Sequence, residues 1–292
     1  MTPLEQRMIP QDQPMTKPWF KAAGGKRALA PTILPLLGLE NATRYVEPFL
    51  GGGAVFLAVR GAGFAGPCLL DDKNAILMDA WRAVQAYPNG VIEAFKWYAG
   101  QDSREFYYEV RQDPPSQLIQ RAGWFLYLNK HCFNGLYRVN SRGTFNVPYG
   151  GGRVESLNED AVWAASGALG GVALASADFG EVEIGLGSTV YCDPPYLPVS
   201  RTASFTAYTP GGFGAADQLR LARWCREGAD RGARIVLSNA GGPDSQAVFG
   251  EGADQVIDVE ERRAINRDGA KRGPVATRIY VFGGASAVGR SR

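Results

Sequence analysis

Asp193-Pro194-Pro195-Tyr196 follows directly on the apolar run Thr189–Cys192. Two consecutive prolines carry no N–H donors and force extended backbone, so a carboxylate and unpaired carbonyls collect at a strand end beside an aromatic ring. That grouping suits an amine. The N6 lone pair of adenine is conjugated with its ring and attacks poorly. Hydrogen bonds from the amine to Asp193 and to the Pro194 carbonyl would localise it, with Tyr196 stacked on the base. A base inside a duplex is out of reach and has to be extruded first. The alternative is an ordinary proline turn with a buried tyrosine.

A second constellation lies upstream. In Tyr45–Phe56, YVEPFLGGGAVF, a strand runs into three glycines and then a helix, the shape of a turn that lets backbone approach a ligand closely. Phe56 occupies the position where a dinucleotide fingerprint needs its third glycine, so a nucleoside ligand is expected rather than a pyrophosphate. Asp72, about twenty residues further on in LLDDKN, stands where an acidic side chain takes ribose hydroxyls. Asp71 competes for that role, and either residue could instead cap the helix that begins near Asn74.

These residues need a sheet whose strands end together. Short aliphatic runs at Tyr45–Phe49, Cys68–Asp72, Val172–Phe179, Thr189–Asp193 and Arg234–Asn239 read as buried strands. Helical patterns at Gly53–Arg60, Asn74–Tyr87 and Ala215–Asp230 give the βα alternation of an α/β, doubly wound parallel sheet, closed by a hairpin of Gln255–Glu260 and Thr277–Phe282. Residues 75–169 break the rhythm with aromatic-rich helices and a Gly- and Asn-studded, hairpin-like stretch from Phe133 to Gly152. They are expected to form an inserted domain, with 1–74 and 170–292 forming the other.

The chain of 292 residues, 45% of them hydrophobic, suffices for one such core plus a smaller unit. It has no apolar run long enough to cross a membrane and no signal-peptide pattern, so no membrane partner and a cytoplasmic location are expected. Cys68, Cys132, Cys192 and Cys225 are widely spaced and read as reduced thiols. With His131 as the single histidine, most histidine-based metal and triad chemistry drops out, and no metal is expected. Net charge is only +2, but basic residues cluster at Lys17, Lys21, Lys26 and Arg27 and again at Arg262, Arg263, Arg267, Lys271 and Arg272. Either cluster could equally be a solvated face.

With these residues in hand, the chain resembles the Dam-type, D12-class family of DNA adenine-N6 methyltransferases. The likeness spans about residues 17 to 282. It is carried by FKAAGGK (Phe20–Lys26), EPFLGGG, the D-x-N of Asp72–Asn74, LYLNKHCFNGLYRVN (Leu126–Asn140), RGTFNVPYG (Arg142–Gly150), YCDPPY and FTAYTPGGF (Phe205–Phe213), in that order. The resemblance implies a Rossmann-like methyltransferase sheet with an inserted, mostly helical target-recognition domain bearing a β-hairpin. It implies S-adenosyl-L-methionine as cofactor, surrounded by Ala22, Lys26, Glu47, Phe49, Gly51, Gly53, Asp72, Asp178, Phe179 and Asp193. Double-stranded DNA is the implied partner. Lys21 and Arg138 would read DNA, Arg138 through the O6 and N7 acceptors of a guanine. Phe133, Asn134 and Leu136 would fill the stack left by the flipped adenine, and Arg267, Lys271 and Arg272 would meet phosphates. Family habits suggest a GATC-like site and a monomer, acting at the nucleoid either alone or beside a cognate restriction endonuclease. One departure stands out: where the family usually has Trp before AGGK, this chain has Ala22.

Other classes are weaker on the residues. An RNA methyltransferase could share the DPPY chemistry, but a roughly ninety-residue insertion ending in an arginine-bearing hairpin suits duplex reading better. A nicotinamide oxidoreductase lacks its third glycine, and a catalytically silent DNA-binding protein would not need Asp193 and Tyr196.

Overall fold

The computed structural model describes residues 18–22, 24–135, 145–151, 156–196, 213–262 and 274–283. Among these, seven strands form one sheet: β1 (Arg44–Glu47), β2 (Cys68–Asp71), β3 (Val172–Ala175), β4 (Ser188–Cys192), β5 (Arg234–Ala240), β6 (Gln255–Arg262) and β7 (Pro274–Phe282). Their order across the sheet is β3-β2-β1-β4-β5-β7-β6. The first five are parallel, while β7 runs antiparallel to both β5 and β6. All five residues of β4 are buried, as expected of a central parallel strand covered on both faces. The α/β, doubly wound expectation therefore holds, and the closing hairpin lies where the sequence places it.

Helices α1 (Ala30–Leu37) and α2 (Ala54–Gly61) flank β1. Five more, α3 (Ala75–Ala86), α4 (Pro88–Ala99), α5 (Arg104–Val110), α6 (Leu118–His131) and α7 (Glu159–Ala168), lie between β2 and β3. Helices α8 (Ala215–Asp230) and α9 (Pro243–Phe249) bracket β5. Local chemistry sets several starts: Asn74 caps α3 by accepting the Leu77 N–H at 3.2 Å, and Ser103 and Asn158 cap α5 and α7 in the same way. Two strands are shorter than the sequence runs suggest. β1 stops at Glu47 because Pro48 cannot donate to the ladder, and β3 stops at Ala175 ahead of the turn that Asp178 caps.

Chain order reverses between β1 and β4. β1 hands on to β2 and β3 on one side, and β4 to β5 on the other, so a crevice opens outside their carboxyl ends. The glycine loop and Asp193 sit at that switch point. The four cysteines are buried free thiols. His131 is also buried, on α6, where burial lowers its pKa and Nδ1 lies 2.9 Å from the Tyr127 carbonyl. It is therefore a neutral interior residue. No described helix is long and apolar enough to cross a membrane.

Candidate active site and nucleic-acid interface

Asp193 emerges from β4 into a set of side chains drawn from β4 itself and from two other parts of the chain. Lys26 Nζ lies 3.1 Å from Asp193 Oδ2, with its side chain only 7% exposed. Ser238, near the end of β5, donates to Asp193 Oδ1 at 2.8 Å. Tyr191, fully buried, lies 2.9 Å from the same Ser238 oxygen. Ser238 has one proton and gives it to the carboxylate, so Tyr191 donates to Ser238. Asp193 thus ends a relay of two hydroxyls on one oxygen and an ammonium on the other.

Tyr196 lies alongside, with Lys26 Nζ 4.8 Å from its ring centroid. Burial, and then the negative charge of Asp193, push its phenol up to about 12, so the ring stays neutral. Between them the Pro195 carbonyl accepts from Gln218 Nε2 at 2.6 Å, and Gln218 in turn accepts from Asn239 at 3.1 Å. Both amides are buried. They fix the plane of the peptide that joins Pro195 to Tyr196.

The glycine loop is built as the sequence suggests, with a floor it does not reveal. Gly51 and Gly53 have φ of 48° and 64°, the left-handed region that side chains resist. A Cβ on Gly53 would come within 2.7 Å of the Trp81 ring, and Trp81 Nε1 donates to the Gly51 carbonyl at 3.1 Å. Ala22 meets the loop from the other side, its Cβ 2.9 Å from where a Gly52 Cβ would stand. Asp72 accepts the Gly51 N–H at 3.0 Å and the Asn74 N–H at 2.9 Å, so its carboxylate ties the loop to the start of α3. Asp71, by contrast, is fully buried and accepts from the Ala177 N–H. Glu47 is buried beneath the loop with the Tyr45 hydroxyl donating at 2.7 Å. Burial, and to a lesser degree the nearby Asp193 charge, raise its carboxyl to about 8.

Asp178 and Phe179 lie together further along the crevice. Phe179 packs with Phe49 and Phe213, centroids 5.5 and 5.9 Å away. Arg220 of α8 grips Asp178 with both guanidinium nitrogens and lies 4.2 Å from the Phe179 centroid. That ion pair holds the Asp178 carboxyl at about 2.

Lys21 and the turn Phe133–Gly135 that follows α6 are both tied to Asn129. Buried Asn129 accepts the Lys21 N–H at 3.1 Å and donates to the Lys21 carbonyl at 2.8 Å. Phe133 is 45% exposed, and Asn134 adopts φ 61° without being glycine. The base of the expected hairpin is present as a bridge between Cys132 and Tyr149, with Phe133 N–H donating to the Pro148 carbonyl at 2.8 Å. Tyr127 and Tyr149 each donate to Asp102 at 2.8 Å, fastening that base to the helices. Leu136, Arg138, Arg267, Lys271 and Arg272 lie outside the described residues.

Sequence reasoning missed Ser238, Gln218, Asn239, Tyr191, Trp81, Asn129 and Arg220. A usable signal existed for one group: the Ser-Asn pair closing the otherwise apolar run Ile235–Asn239 puts polar atoms at the same sheet edge as Asp193.

Comparison with known proteins gives the family. The model of the family described as D12 class N6 adenine-specific DNA methyltransferase matches residues 23–265. The chain is 36% identical over 275 residues to the type II methyltransferase M.MjaIII of Methanocaldococcus jannaschii, covering 88% of this chain and 95% of that protein. It is 33% identical over 271 residues to a DNA adenine methylase of Vibrio cholerae, covering 90% and 95%. Against the DNA N-6-adenine-methyltransferase of Escherichia phage P1 it is 34% identical over 260 residues, 87% of this chain but 34% of that longer protein.

Proposed function

Because the chain belongs to the D12 class of N6 adenine-specific DNA methyltransferases, we propose that it moves the methyl group of S-adenosyl-L-methionine onto N6 of an adenine flipped out of duplex DNA, at a GATC-like site. The observation that carries this reading is the fixed Asp193 beside neutral Tyr196 at the switch point of the sheet.

The crevice fits a cationic nucleoside. A Cβ on Gly51 would meet nothing within 4 Å, so space lies open over the loop. Asp72 accepts the Gly51 N–H beside that space, and Glu47, Asp193 and the rings of Phe49 and Phe179 would complete its lining. With Ala22, Lys26, Gly51, Gly53 and Asp178 they would hold the cofactor, which supplies an electrophilic methyl on a sulfonium. The chain supplies position. Asp193 and the Pro194 carbonyl accept the two N6 protons and turn the lone pair toward the methyl, while Tyr196 stacks on the base and Gln218 steadies Pro195. Once the amine has taken the methyl group, Asp193 would receive its surplus proton along the hydrogen bond they share.

Residues 75–169 are assigned target recognition, and 1–74 with 170–292 catalysis. Lys21, Phe133, Asn134, Leu136 and Arg138 would meet bases or fill the vacated stack, and Arg267, Lys271 and Arg272 would neutralise phosphates. Relatives with type II names make a cognate restriction endonuclease the candidate partner of a cytoplasmic, monomeric enzyme. Tritium transfer from labelled cofactor to duplex DNA, with modification-sensitive sequencing of host DNA, tests the reading. Asp193→Ala should keep DNA binding and abolish transfer; undiminished transfer would remove Asp193 from its role, and label on structured RNA with none on DNA would overturn the substrate.

A further inference from the structure

We propose that Asn129 is a positioning residue for site specificity: its buried amide locks Lys21 and the Asn134–Gly135 turn into one reading unit. The proposal rests on the assignment of those residues to DNA contact. Asn129 lies in the last turn of α6 and is fully buried. Its oxygen accepts the Lys21 N–H at 3.1 Å, and its NH2 group donates to the Lys21 carbonyl at 2.8 Å and the Gly135 carbonyl at 3.3 Å. One N–H and two carbonyls face it, which admits one orientation of the amide and no isostere. Asp cannot donate to the carbonyls, and Leu makes none of the three bonds.

What Asn129 joins is far apart in sequence: Lys21 bonds it across 108 positions. Gly135, at φ 63°, admits the Lys21 stem, since a Cβ there would lie 2.8 Å from Lys21 Cδ. Asn134, in the same left-handed conformation, immediately precedes Gly135 and so shares the turn that the amide holds. The short stretch holding Lys21 is anchored on its other side as well, by Trp19 and Phe20 packed against Trp81 and Phe125. Two candidate base contacts thus take their mutual spacing from a single amide, and spacing is what distinguishes a matched site from one with an exchanged base pair.

The test compares wild type, Asn129→Asp, Asn129→Ala and Gly135→Ala on the duplex site identified by sequencing and on duplexes with one base pair of it exchanged. Cofactor Kd is measured without DNA. Expected is a 10- to 100-fold fall in kcat/KM on the matched site, a smaller fall on exchanged sites, so that discrimination narrows at least 5-fold, and a cofactor Kd within 3-fold of wild type. Gly135→Ala perturbs the same contact from the more exposed side and covers the case in which the buried substitutions do not fold. Unchanged discrimination, or an equal loss on all duplexes together with loss of cofactor binding, would overturn the proposal. Failure of wild type to label DNA would instead overturn the underlying assignment, and the wild-type control shows that before any variant is compared.

Discussion

Ser238→Ala removes the donor that holds Asp193 Oδ1 at 2.8 Å and also leaves the buried Tyr191 hydroxyl without its acceptor. A hydrogen bond to a charged group contributes about 1.5–3 kcal/mol, and each ~1.4 kcal/mol of barrier is a factor of about ten in rate. Lys26 still holds the other carboxylate oxygen at 3.1 Å, so the carboxylate loses aim rather than leaving the site. We therefore expect the lower part of that range in single-turnover methyl transfer, a fall of about 10- to 30-fold. Tyr191→Phe leaves the Ser238 proton on Asp193 and should slow transfer by less than about 3-fold, at the scale of a neutral hydrogen bond one step removed. The double variant should regain melting temperature relative to Ser238→Ala, because no hydroxyl is orphaned, without regaining rate. Rapid quench with labelled cofactor and saturating duplex measures the rates. A Ser238→Ala rate within 2-fold of wild type, while Asp193→Ala is dead, would refute the idea that this relay aims the carboxylate.

Glu47 provides a pH test. Its carboxyl, raised from an ordinary 4.5 to about 8, binds a proton in the folded chain that the unfolded chain has released. Stability should therefore fall as pH rises from about 4.5 to 8 and then level, by roughly 5 kcal/mol at most from this group. Glu47→Gln should flatten that slope in melting curves, and an unchanged slope would exclude Glu47 as its source. Gly53→Ala combines a left-handed φ with overlap on the Trp81 ring and should cost about 2–4 kcal/mol in denaturant titrations, part of it recovered by Trp81→Phe; full additivity of the two would count against the contact. Tyr149→Phe removes one of two tyrosine bonds to Asp102 and should lower the melting temperature by about 2–6 °C, with faster proteolysis between 133 and 149. Tyr127→Phe should leave that cleavage rate nearly as in wild type.

The parts of the site that depend on adjacent residues were legible in the sequence. Three glycines after a strand, an acid at the end of the next, and DPPY after a third place a loop and two carboxylates at one sheet edge. Helix α1 was not legible, because Pro31 and Pro35 obscure its period, although Pro31 falls in the first turn, where its missing N–H costs nothing. Asp72 shows the limit of motif reasoning: the ribose and the capping readings were both open, and the structure gives its oxygens to Gly51 and Asn74 N–H groups. Ser238, Trp81, Arg220 and Asn129 went unseen for a common reason. Each acts on a partner 30 to 108 positions away, a separation at which no local pattern in a single sequence carries information.

Residues 18–22 and 24–26 reach four separate parts of the structure: the aromatic cluster through Trp19 and Phe20, Asn129 through Lys21, the glycine loop through Ala22, and Asp193 through Lys26. Grafting a relative's 75–169 segment into this scaffold would accordingly produce a mismatched hybrid unless the foreign N-terminal stretch travelled with it. On the proposed assignment, target preference would be inherited as two separated pieces of sequence that must change in step.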